Sequence, residues 1–159
     1  MWTVTDSPVG QLRIVEQDDA ITAIEFTPFR DDDGRVRGER DDKHPVLVEA
    51  VRQLSAYFAR DLKEFDLPLA PVGSLFQQRV WEQLRGIGYG ETASYGQVAG
   101  RLGMTNAASR AVGLANGRNP IPIVIPCHRV IGANGTLTGY AGGLERKQLL
   151  LGLEQDALF

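Results

Sequence analysis

The segment Pro126–Val130, which reads Pro-Cys-His-Arg-Val, combines a thiol with a neighbouring imidazole. Cys127 is the only cysteine of the chain. A thiolate is a strong nucleophile, and both an adjacent base and the start of a helical turn favour it over the thiol. Pro126 is suited to begin such a turn, so we predict a nucleophilic Cys127 activated by His128. The alternative is a small buried cysteine beside a core histidine, which is the commoner role of each residue.

An imidazole that acts as a base needs a third polar group to orient it. Glu154 lies in the last stretch with helical periodicity, Leu144–Glu154. We therefore predict that Glu154 orients His128, and the alternative is a glutamate on the protein surface.

Two short helices joined by a glycine turn precede this segment. A capping-box pattern at Ser94 begins the helix Tyr95–Leu102, which ends at Gly103, and a second helix, Ala107–Ala115, follows. This spacing is typical of a helix-turn-helix, although helical hairpins of this size are also common packing units.

The second helix is thin, because alanine and glycine occupy positions 107, 108, 111, 113 and 115. The side chains that can reach outward are Asn106, Ser109, Arg110 and Asn116. A helix that reads sequence in the major groove carries several long polar side chains. A slim helix with one long cation fits the minor groove instead, which is about 6 Å wide and nearly blind to sequence. We therefore predict that this helix contacts double-stranded DNA.

The first 73 residues predict a small antiparallel sheet with a flanking helix. Alternating residues at Trp2–Thr5, Gln11–Glu16 and Ala20–Phe26, separated by turn residues, indicate three strands. Helical spacing predicts an amphipathic helix over Val46–Arg60. The charged segment 31–43, which contains glycine, is expected to be a flexible loop.

Prolines and a glycine in residues 68–73 predict a boundary, so residues 1–73 and 74–159 are expected to form separate domains. In the second domain, Pro120 and Pro122 predict an extended segment over Ile123–Pro126. The apolar run Ile121–Ile125 is expected to be buried, and residues 132–143 are expected to form a glycine-rich loop. The predicted fold class is α+β, with an N-terminal antiparallel sheet and a mostly helical, winged-helix-like C-terminal domain.

Composition excludes several classes of function. No apolar run is long enough to span a membrane, and a single cysteine excludes an intrachain disulfide and a cysteine-rich zinc site. The first residues lack a secretory signal, so a cytoplasmic location is expected. Residues 1–73 carry nine Lys/Arg and fifteen Asp/Glu, and residues 74–159 carry eight and five. The positive second half fits a phosphate-bearing partner, unless the asymmetry is chance scatter.

The run Asn119–Val130 resembles the active-site signature of the O6-alkylguanine-DNA alkyltransferases. The similarity includes Arg110–Gly113 upstream, and Gly139–Leu144 and Lys147–Glu154 downstream. It covers roughly residues 74–154, whereas the N-terminal half is similar only in layout. The resemblance implies transfer of an alkyl group from O6-alkylguanine in double-stranded DNA to a cysteine of the protein, with O4-alkylthymine left open as a substrate. It implies no metal and no organic cofactor, and a monomer, with cooperative binding to DNA left open.

The resemblance also implies roles for individual residues. Cys127 would accept the alkyl group, His128 would deprotonate it through a bridging water molecule, and Glu154 would hold the imidazole. Asn119 would organise the turn that precedes Cys127. Tyr95 would help to rotate the nucleotide out of the duplex and later donate a proton towards the guanine.

Contacts with the nucleotide follow from the same resemblance. Arg110 would enter the base stack and fill the gap that the extruded guanine leaves, and the DNA-binding positions around it are Tyr95, Asn106, Ser109 and Ala111. The substrate pocket would be lined by Pro122, Val130, Tyr140, Ala141 and Lys147. The backbone carbonyls of Cys127 and Val130 would accept hydrogen bonds from the guanine amine.

The chemistry has two general requirements. A base inside a duplex must be extruded before an enzyme can act on it. The product is a thioether that no hydrolytic step removes, so each molecule is expected to act once. Two other functions remain open from the residues alone, namely a DNA-binding regulator in which Cys127 is inert and a Cys-His hydrolase that turns over repeatedly.

Overall fold

The N-terminal unit is built on an antiparallel meander. The computed structural model describes residues 1–156, and in it strands β1 (Trp2–Thr5), β2 (Leu12–Gln17) and β3 (Ala20–Phe26) pair in the order β1-β2-β3. Helix α1 (Pro45–Phe58) packs against this sheet. The α+β class and the sheet with its flanking helix are therefore confirmed, with β2 shifted by one residue from the prediction.

Helix α1 begins one residue earlier and ends two residues earlier than predicted. It begins at Pro45 because the Nδ1 atom of His44 accepts a hydrogen bond from the backbone of Val46 at 3.3 Å and caps the helix. It ends before Arg60, which adopts a φ of 64°. A left-handed backbone at that position is incompatible with a continuing right-handed helix.

Both edges of the sheet are covered by irregular chain. Residues 39–41 pair with β1 through two hydrogen bonds of the Trp2 backbone, at 3.1 and 2.9 Å. Residues 68–70 pair with β3 through two hydrogen bonds of the Ile21 backbone, both 2.8 Å long. These bonds satisfy backbone groups that an edge strand leaves open to other chains.

The segment 31–43, predicted to be a flexible loop, is irregular but holds buried ion pairs. Arg37 binds Glu25 and Asp33, with nitrogen–oxygen distances of 2.5 and 2.6 Å. Arg13 on β2 binds the second oxygen of Glu25 at 2.5 Å. Glu25 on β3 therefore neutralises two arginines whose side chains are only 5% and 8% exposed. These contacts fasten the segment to the two strands.

The C-terminal unit begins at Val72, two residues before the predicted boundary. Its first helix, α2 (Leu75–Leu84), starts with the predicted capping box at Ser74. A Cβ atom on Gly73 would lie 2.4 Å from the ring of Trp81, a buried residue of α2. Gly73 therefore packs as part of this unit, which explains why the boundary falls before it.

Helices α3 (Tyr95–Arg101) and α4 (Ser109–Gly117) confirm the predicted pair of short helices. They are joined by a turn in which Gly103 has a φ of 73°, and they pack against each other. A 3-10 turn, Asn106–Ala108, occupies the start of the predicted second helix, and no side chain caps either element. The Ser109 hydroxyl instead donates to the Asn106 carbonyl at 2.7 Å.

The prediction of an extended segment at Ile123–Pro126 is wrong, whereas the predicted burial of the run Ile121–Ile125 is confirmed except at the half-buried Val124. The Ile125 backbone N–H donates to the Ile121 carbonyl at 3.0 Å, and Ile123 has a φ of 74°. The segment is therefore a tight turn. The prolines in this stretch exclude a helix. Local sequence does not distinguish a turn from a strand here, because the hydrogen bonds that close the turn come from the side chain of Asn119, outside the segment.

The remaining elements complete the C-terminal unit. Strand β4 (Ala93–Ser94), just before α3, pairs in parallel with β5 (Val130–Ile131), just after the Cys127 segment. Residues 132–143 are irregular, as predicted, and helix α5 (Leu144–Asp156) follows. Within residues 1–156, every helix is too short or too polar to cross a membrane.

Replacement of Glu25 by Gln should destabilise the chain by about 2 kcal/mol, because two buried guanidinium groups would lose their shared anion, although Arg13 keeps Asp31 and Arg37 keeps Asp33. Glu49→Gln is the matched control, since Glu49 pairs with Arg52 at the exposed surface and should contribute less than about 1 kcal/mol. Urea-induced unfolding monitored by circular dichroism measures both changes. Equal losses from the two substitutions would contradict a structural role for the buried cluster.

Candidate active site

Asn119 connects the end of α4 to the nucleophile segment. Its side-chain oxygen accepts from the Ile121 backbone at 3.0 Å, and its side-chain nitrogen donates to the Ile125 carbonyl at 2.8 Å. One amide thereby closes both ends of the turn that leads into Cys127. This is the position at which the resemblance placed a turn-organising residue.

Cys127 begins a single 3-10 turn, Cys127–Arg129. The residue is buried, with 3% of its surface exposed. Burial raises the pKa of the Cys127 thiol to about 11, although a hydrogen bond from Asn119 and the charge of Lys147 oppose this rise. The sequence predicted that the start of a helical turn favours the thiolate. In this structure the turn has only three residues, and burial raises the thiol pKa more than the turn lowers it. A base must therefore remove the proton of the Cys127 thiol.

His128 and Glu154 form a buried pair, as predicted, and their Nε2 and Oε2 atoms are 2.7 Å apart. Because an ionised carboxylate only accepts hydrogen bonds, Nε2 carries the proton and Nδ1 of the neutral ring holds a lone pair. Burial lowers the pKa of His128 even though Glu154 favours its charged form. Among residues 1–156, Nδ1 of His128 has no hydrogen-bond partner, so it is free to accept a proton.

Arg129 is a residue of this site to which the sequence analysis gave no role. Its Nε and Nη2 atoms donate to the two oxygens of Glu154 at 2.8 and 3.0 Å, and Nη1 donates to the Ile87 carbonyl at 2.5 Å. Burial alone would raise the pKa of Glu154, but His128 and Arg129 together hold it at about 2. A signal was present in the sequence, since the polar triplet that ends with Arg129 lies between two apolar stretches, and a cation buried there must find an anion.

Asn116 is a second residue whose position differs from the prediction. The sequence analysis placed it among the outward-reaching side chains of the helix, but it is 2% exposed. Its side-chain nitrogen donates to the Cys127 carbonyl at 3.3 Å. Helical spacing alone places Asn116 beside the buried Val112 and Ala115, and that periodicity could have identified the error.

Lys147 on α5 lies beneath the loop 132–143. Its fully buried ammonium group donates to the carbonyls of Val130 and Thr138 at 2.6 and 2.9 Å. The Thr138 hydroxyl in turn lies 2.6 Å from the Tyr95 hydroxyl. Thr138 was not predicted, and it connects Tyr95 on α3 to Lys147 on α5.

The two carbonyls that the resemblance assigns to the guanine amine each have a partner already. The Cys127 carbonyl accepts from Asn116, and the Val130 carbonyl accepts from Lys147. The Val130 backbone N–H also donates to the Cys127 carbonyl, so both lone pairs of that oxygen are in use and a guanine amine would have to replace one of these donors.

The remaining predicted residues divide into buried and exposed groups. Pro122 and Tyr140 are buried, and Ala141 is exposed on the loop. The DNA-binding candidates Asn106, Arg110 and Ala111 are exposed, whereas Ser109 is half-buried and uses its hydroxyl on Asn106. The structure thus gathers Cys127, Asn119, His128, Glu154 and Lys147 within the C-terminal unit, and leaves Arg110 on its surface.

The C-terminal unit combines a helix-turn-helix with a buried cysteine and an adjacent histidine that is held by a glutamate. These features define a class of protein in which a helix-turn-helix domain also contains the groups for a reaction at a thiol. Comparison with known families gives a narrower assignment. A family model described as "6-O-methylguanine DNA methyltransferase, DNA binding domain" matches residues 75–156. A second model, described as the ribonuclease-like domain of the same proteins, matches residues 1–71. The chain belongs to the 6-O-methylguanine DNA methyltransferase family, which confirms the resemblance.

Individual relatives agree with this assignment. A methylated-DNA–protein-cysteine methyltransferase of Mycolicibacterium paratuberculosis is 50% identical over 97% of this chain and 92% of its own length. One of the same name from Methanosarcina acetivorans is 47% identical over 96% of this chain and 97% of its own length.

Solved structures of relatives have the same fold. The crystal structure of Mycobacterium tuberculosis O6-methylguanine methyltransferase has a TM-score of 0.90 at 47% identity, covering 98% of this chain and 93% of that one. The Mycobacterium tuberculosis protein OGT in complex with DNA has a TM-score of 0.84 at 45% identity, with the same coverage of each chain.

Replacement of Glu154 by Gln should cost about 3 kcal/mol of stability at pH 7, because Arg129 would remain buried without an anion. Glu145→Gln, in the exposed first turn of α5, is the matched control and should cost less than about 1 kcal/mol. Urea unfolding measures both substitutions.

The ion pair of Glu154 with Arg129 also predicts that the stability of the protein depends on pH. The folded pKa of Glu154 is about 2, below its ordinary value of 4.5. Its contribution is therefore present above pH 4.5 and is lost as the pH falls towards 2. The stability difference between the wild type and Glu154→Gln should narrow over that range, and a difference that stays constant would contradict the assigned ionisation.

Proposed function

We propose that this chain repairs DNA by direct reversal, transferring the alkyl group of an O6-alkylguanine in duplex DNA to the sulfur of Cys127. The observation that carries this proposal is the chain's only cysteine, which lies next to a buried histidine whose ring is oriented by Glu154 at 2.7 Å. Membership of the methyltransferase family over both units supports the same reaction.

The transfer is a substitution at the alkyl carbon. A bond forms between sulfur and carbon as the bond between carbon and the guanine oxygen breaks, and the electron pair of that bond goes to the guanine. The proton of the Cys127 thiol goes to Nδ1 of His128, relayed by a water molecule as the resemblance implies. The guanine takes up a proton in exchange, for which the Tyr95 phenol is the proposed donor. His128 then releases its added proton to solvent and the Tyr95 phenolate takes one up, so the net result is transfer of the thiol proton to the guanine. The resulting thioether is permanent, so each molecule acts once.

Glu154 and Arg129 are proposed to prepare His128 for this role. The carboxylate fixes Nε2 as the protonated nitrogen, which leaves Nδ1 as the acceptor. Arg129 holds both oxygens of Glu154 in place and shares its charge. A guanidinium does not give up its proton, so Arg129 balances the anion without entering the proton transfer.

Arg110 is proposed to occupy the space of the extruded guanine. Extrusion costs a few kcal/mol, and a side chain that enters the stack offsets part of that cost. Arg110 is exposed near the start of α4. No Asp or Glu occurs between Glu91 and Glu145, and the exposed charged side chains of this part of the chain are the cations Arg101, Arg110 and Arg118, which a polyanion attracts. The guanine pocket is proposed to include Pro122, Val130, Tyr140, Ala141 and Lys147.

The proposal extends to the setting in which the protein acts. A nucleophile used once must stay reduced until it meets a lesion, and a cytoplasmic environment maintains free thiols. We therefore place the protein in the cytoplasm and treat it as a monomer on DNA. A single unit supplies both the helix-turn-helix and Cys127, so one copy contains every group named above.

Intact-mass analysis tests the reaction directly. After incubation with duplex DNA containing O6-methylguanine, the protein should gain one methyl group in place of one hydrogen, located on Cys127 by peptide mapping. Cys127→Ser should gain none while it still binds the duplex. A wild-type protein that removes many lesions per molecule, or removes none with its thiol free, would contradict the proposal.

Replacement of Arg110 by Ala should slow transfer from the duplex by about tenfold or more, because the cost of extrusion is no longer offset. Transfer from the free O6-methylguanine base should slow less, since a free base needs no extrusion. Arg79→Ala, at an exposed arginine of α2, is the matched control. Single-turnover rates on both substrates provide the measurement, and equal slowing on both would exclude the proposed role of Arg110.

A further inference from the structure

The Tyr95 hydroxyl lies against a hydroxyl of the loop 132–143. Its oxygen is 2.6 Å from Oγ1 of Thr138, which is a short hydrogen-bond distance for two hydroxyl groups. The two residues are 43 positions apart in the chain, so only the fold brings them together. Tyr95 is the proposed proton donor to the guanine, whereas Thr138 has no part in the proposed reaction so far.

Thr138 is held in place through its backbone. The buried ammonium group of Lys147 donates to the Thr138 carbonyl at 2.9 Å and to the Val130 carbonyl at 2.6 Å. Val130 directly follows the turn Cys127–Arg129. Lys147 thereby ties the backbone of Thr138 to that of the nucleophile segment. The Thr138 hydroxyl is therefore presented at a defined place, although the residue itself is exposed.

The ring of Tyr95 is held separately by helix α4. A Cβ atom on Gly113 would lie 3.6 Å from the Cδ1 and Cε1 atoms of that ring, which is ordinary van der Waals contact. The ring therefore packs against the backbone of α4 at Gly113. An aromatic side chain that is held at both its ring and its hydroxyl keeps one orientation, and a proton donor must be positioned in this way to act.

The direction of the hydrogen bond follows from the proposed reaction. A hydroxyl group donates one hydrogen bond and accepts two. When Tyr95 gives its proton to the guanine, that proton points at the guanine, so Thr138 is the donor and the Tyr95 oxygen is the acceptor. Negative charge develops on this oxygen as the proton leaves, and a hydrogen bond to a charged acceptor is roughly twice as strong as one between neutral groups. The bond from Thr138 therefore strengthens as the transfer proceeds.

We infer that Thr138 is a positioning residue for alkyl transfer, because its hydroxyl orients Tyr95 and stabilises the phenolate that proton donation leaves. Thr138 keeps its own proton throughout, and the phenolate takes up a proton from solvent afterwards. The inference rests on the proposed function, since it needs Tyr95 to donate a proton during transfer to Cys127. It gives the loop 132–143 a hydroxyl group that acts on the reaction, in addition to the residues proposed to line the pocket.

A double-mutant cycle tests whether Thr138 acts through Tyr95. Thr138→Val removes the hydroxyl while keeping the shape, and should slow single-turnover transfer from the free O6-methylguanine base about tenfold. Thr138→Ser keeps a hydroxyl and should retain most of the rate. In a Tyr95→Phe background, which lacks the phenol, Thr138→Val should cause no further slowing. The free base is the substrate because it needs no extrusion, so the rates report the transfer step.

Thr136→Val is the matched control for this series. The Thr136 hydroxyl is exposed in the same loop and donates to the Asn134 side chain at 2.7 Å, away from Tyr95. This variant should transfer the methyl group at the rate of the wild type. Urea unfolding of Thr138→Val, and its affinity for an undamaged duplex measured by fluorescence anisotropy, should also match the wild type, because the substitution is isosteric and its site is exposed.

The outcomes separate the inference from the repair reaction. An unchanged rate in Thr138→Val, equal slowing by this substitution with and without the Tyr95 phenol, or a Thr138→Ser rate as low as that of Thr138→Val would overturn the role of Thr138. Each of these results leaves alkyl transfer to Cys127 standing. A wild-type protein that transfers no alkyl group would instead overturn the proposed function, and the inference with it.

Discussion

The carboxylate of Glu154 is the anion on which the C-terminal unit depends. It is buried, and its two oxygens are shared by the imidazole of His128 and the guanidinium of Arg129. A buried charge without partners is costly, so α5, the Cys127 turn and the chain near Ile87 must assemble together for this anion to be compensated. The contacts that hold the His128 ring are therefore also contacts that compensate the buried charge of Glu154.

Helix α4 links this buried site to the surface. On its inner side, Asn116 donates a hydrogen bond to the carbonyl of Cys127. Asn119, just beyond the helix, makes the hydrogen bonds that close the turn before Cys127. On its outer side, Arg110 and Ala111 are exposed to solvent. One rigid element thus carries residues that position the nucleophile and residues proposed to contact DNA.

In the N-terminal unit, long-range contacts satisfy the sheet edges and a charged segment. The three-stranded sheet has two edges, and local composition predicts a loop for segment 31–43. Pairing with residues 39–41 and 68–70 covers the edges, and Glu25 draws Arg13 and Arg37 into a buried cluster. These are long-range contacts that satisfy backbone groups and charges. They explain why a segment rich in charged residues is held against the strands.

The sequence by itself determined the α+β class and the helix-turn-helix, because capping boxes, glycine turns and helical periodicity act over a few residues. It suggested Glu154 as the partner of His128, but only the tertiary structure brings the two side chains together. Only the tertiary structure decided that Ile121–Ile125 is a turn, that Asn116 faces inward and that Arg129 shares Glu154. Those features depend on side chains that meet across distant parts of the chain. Local propensity carries no information about which buried group will supply the partner of a given charge or amide, and packing alone settles that choice.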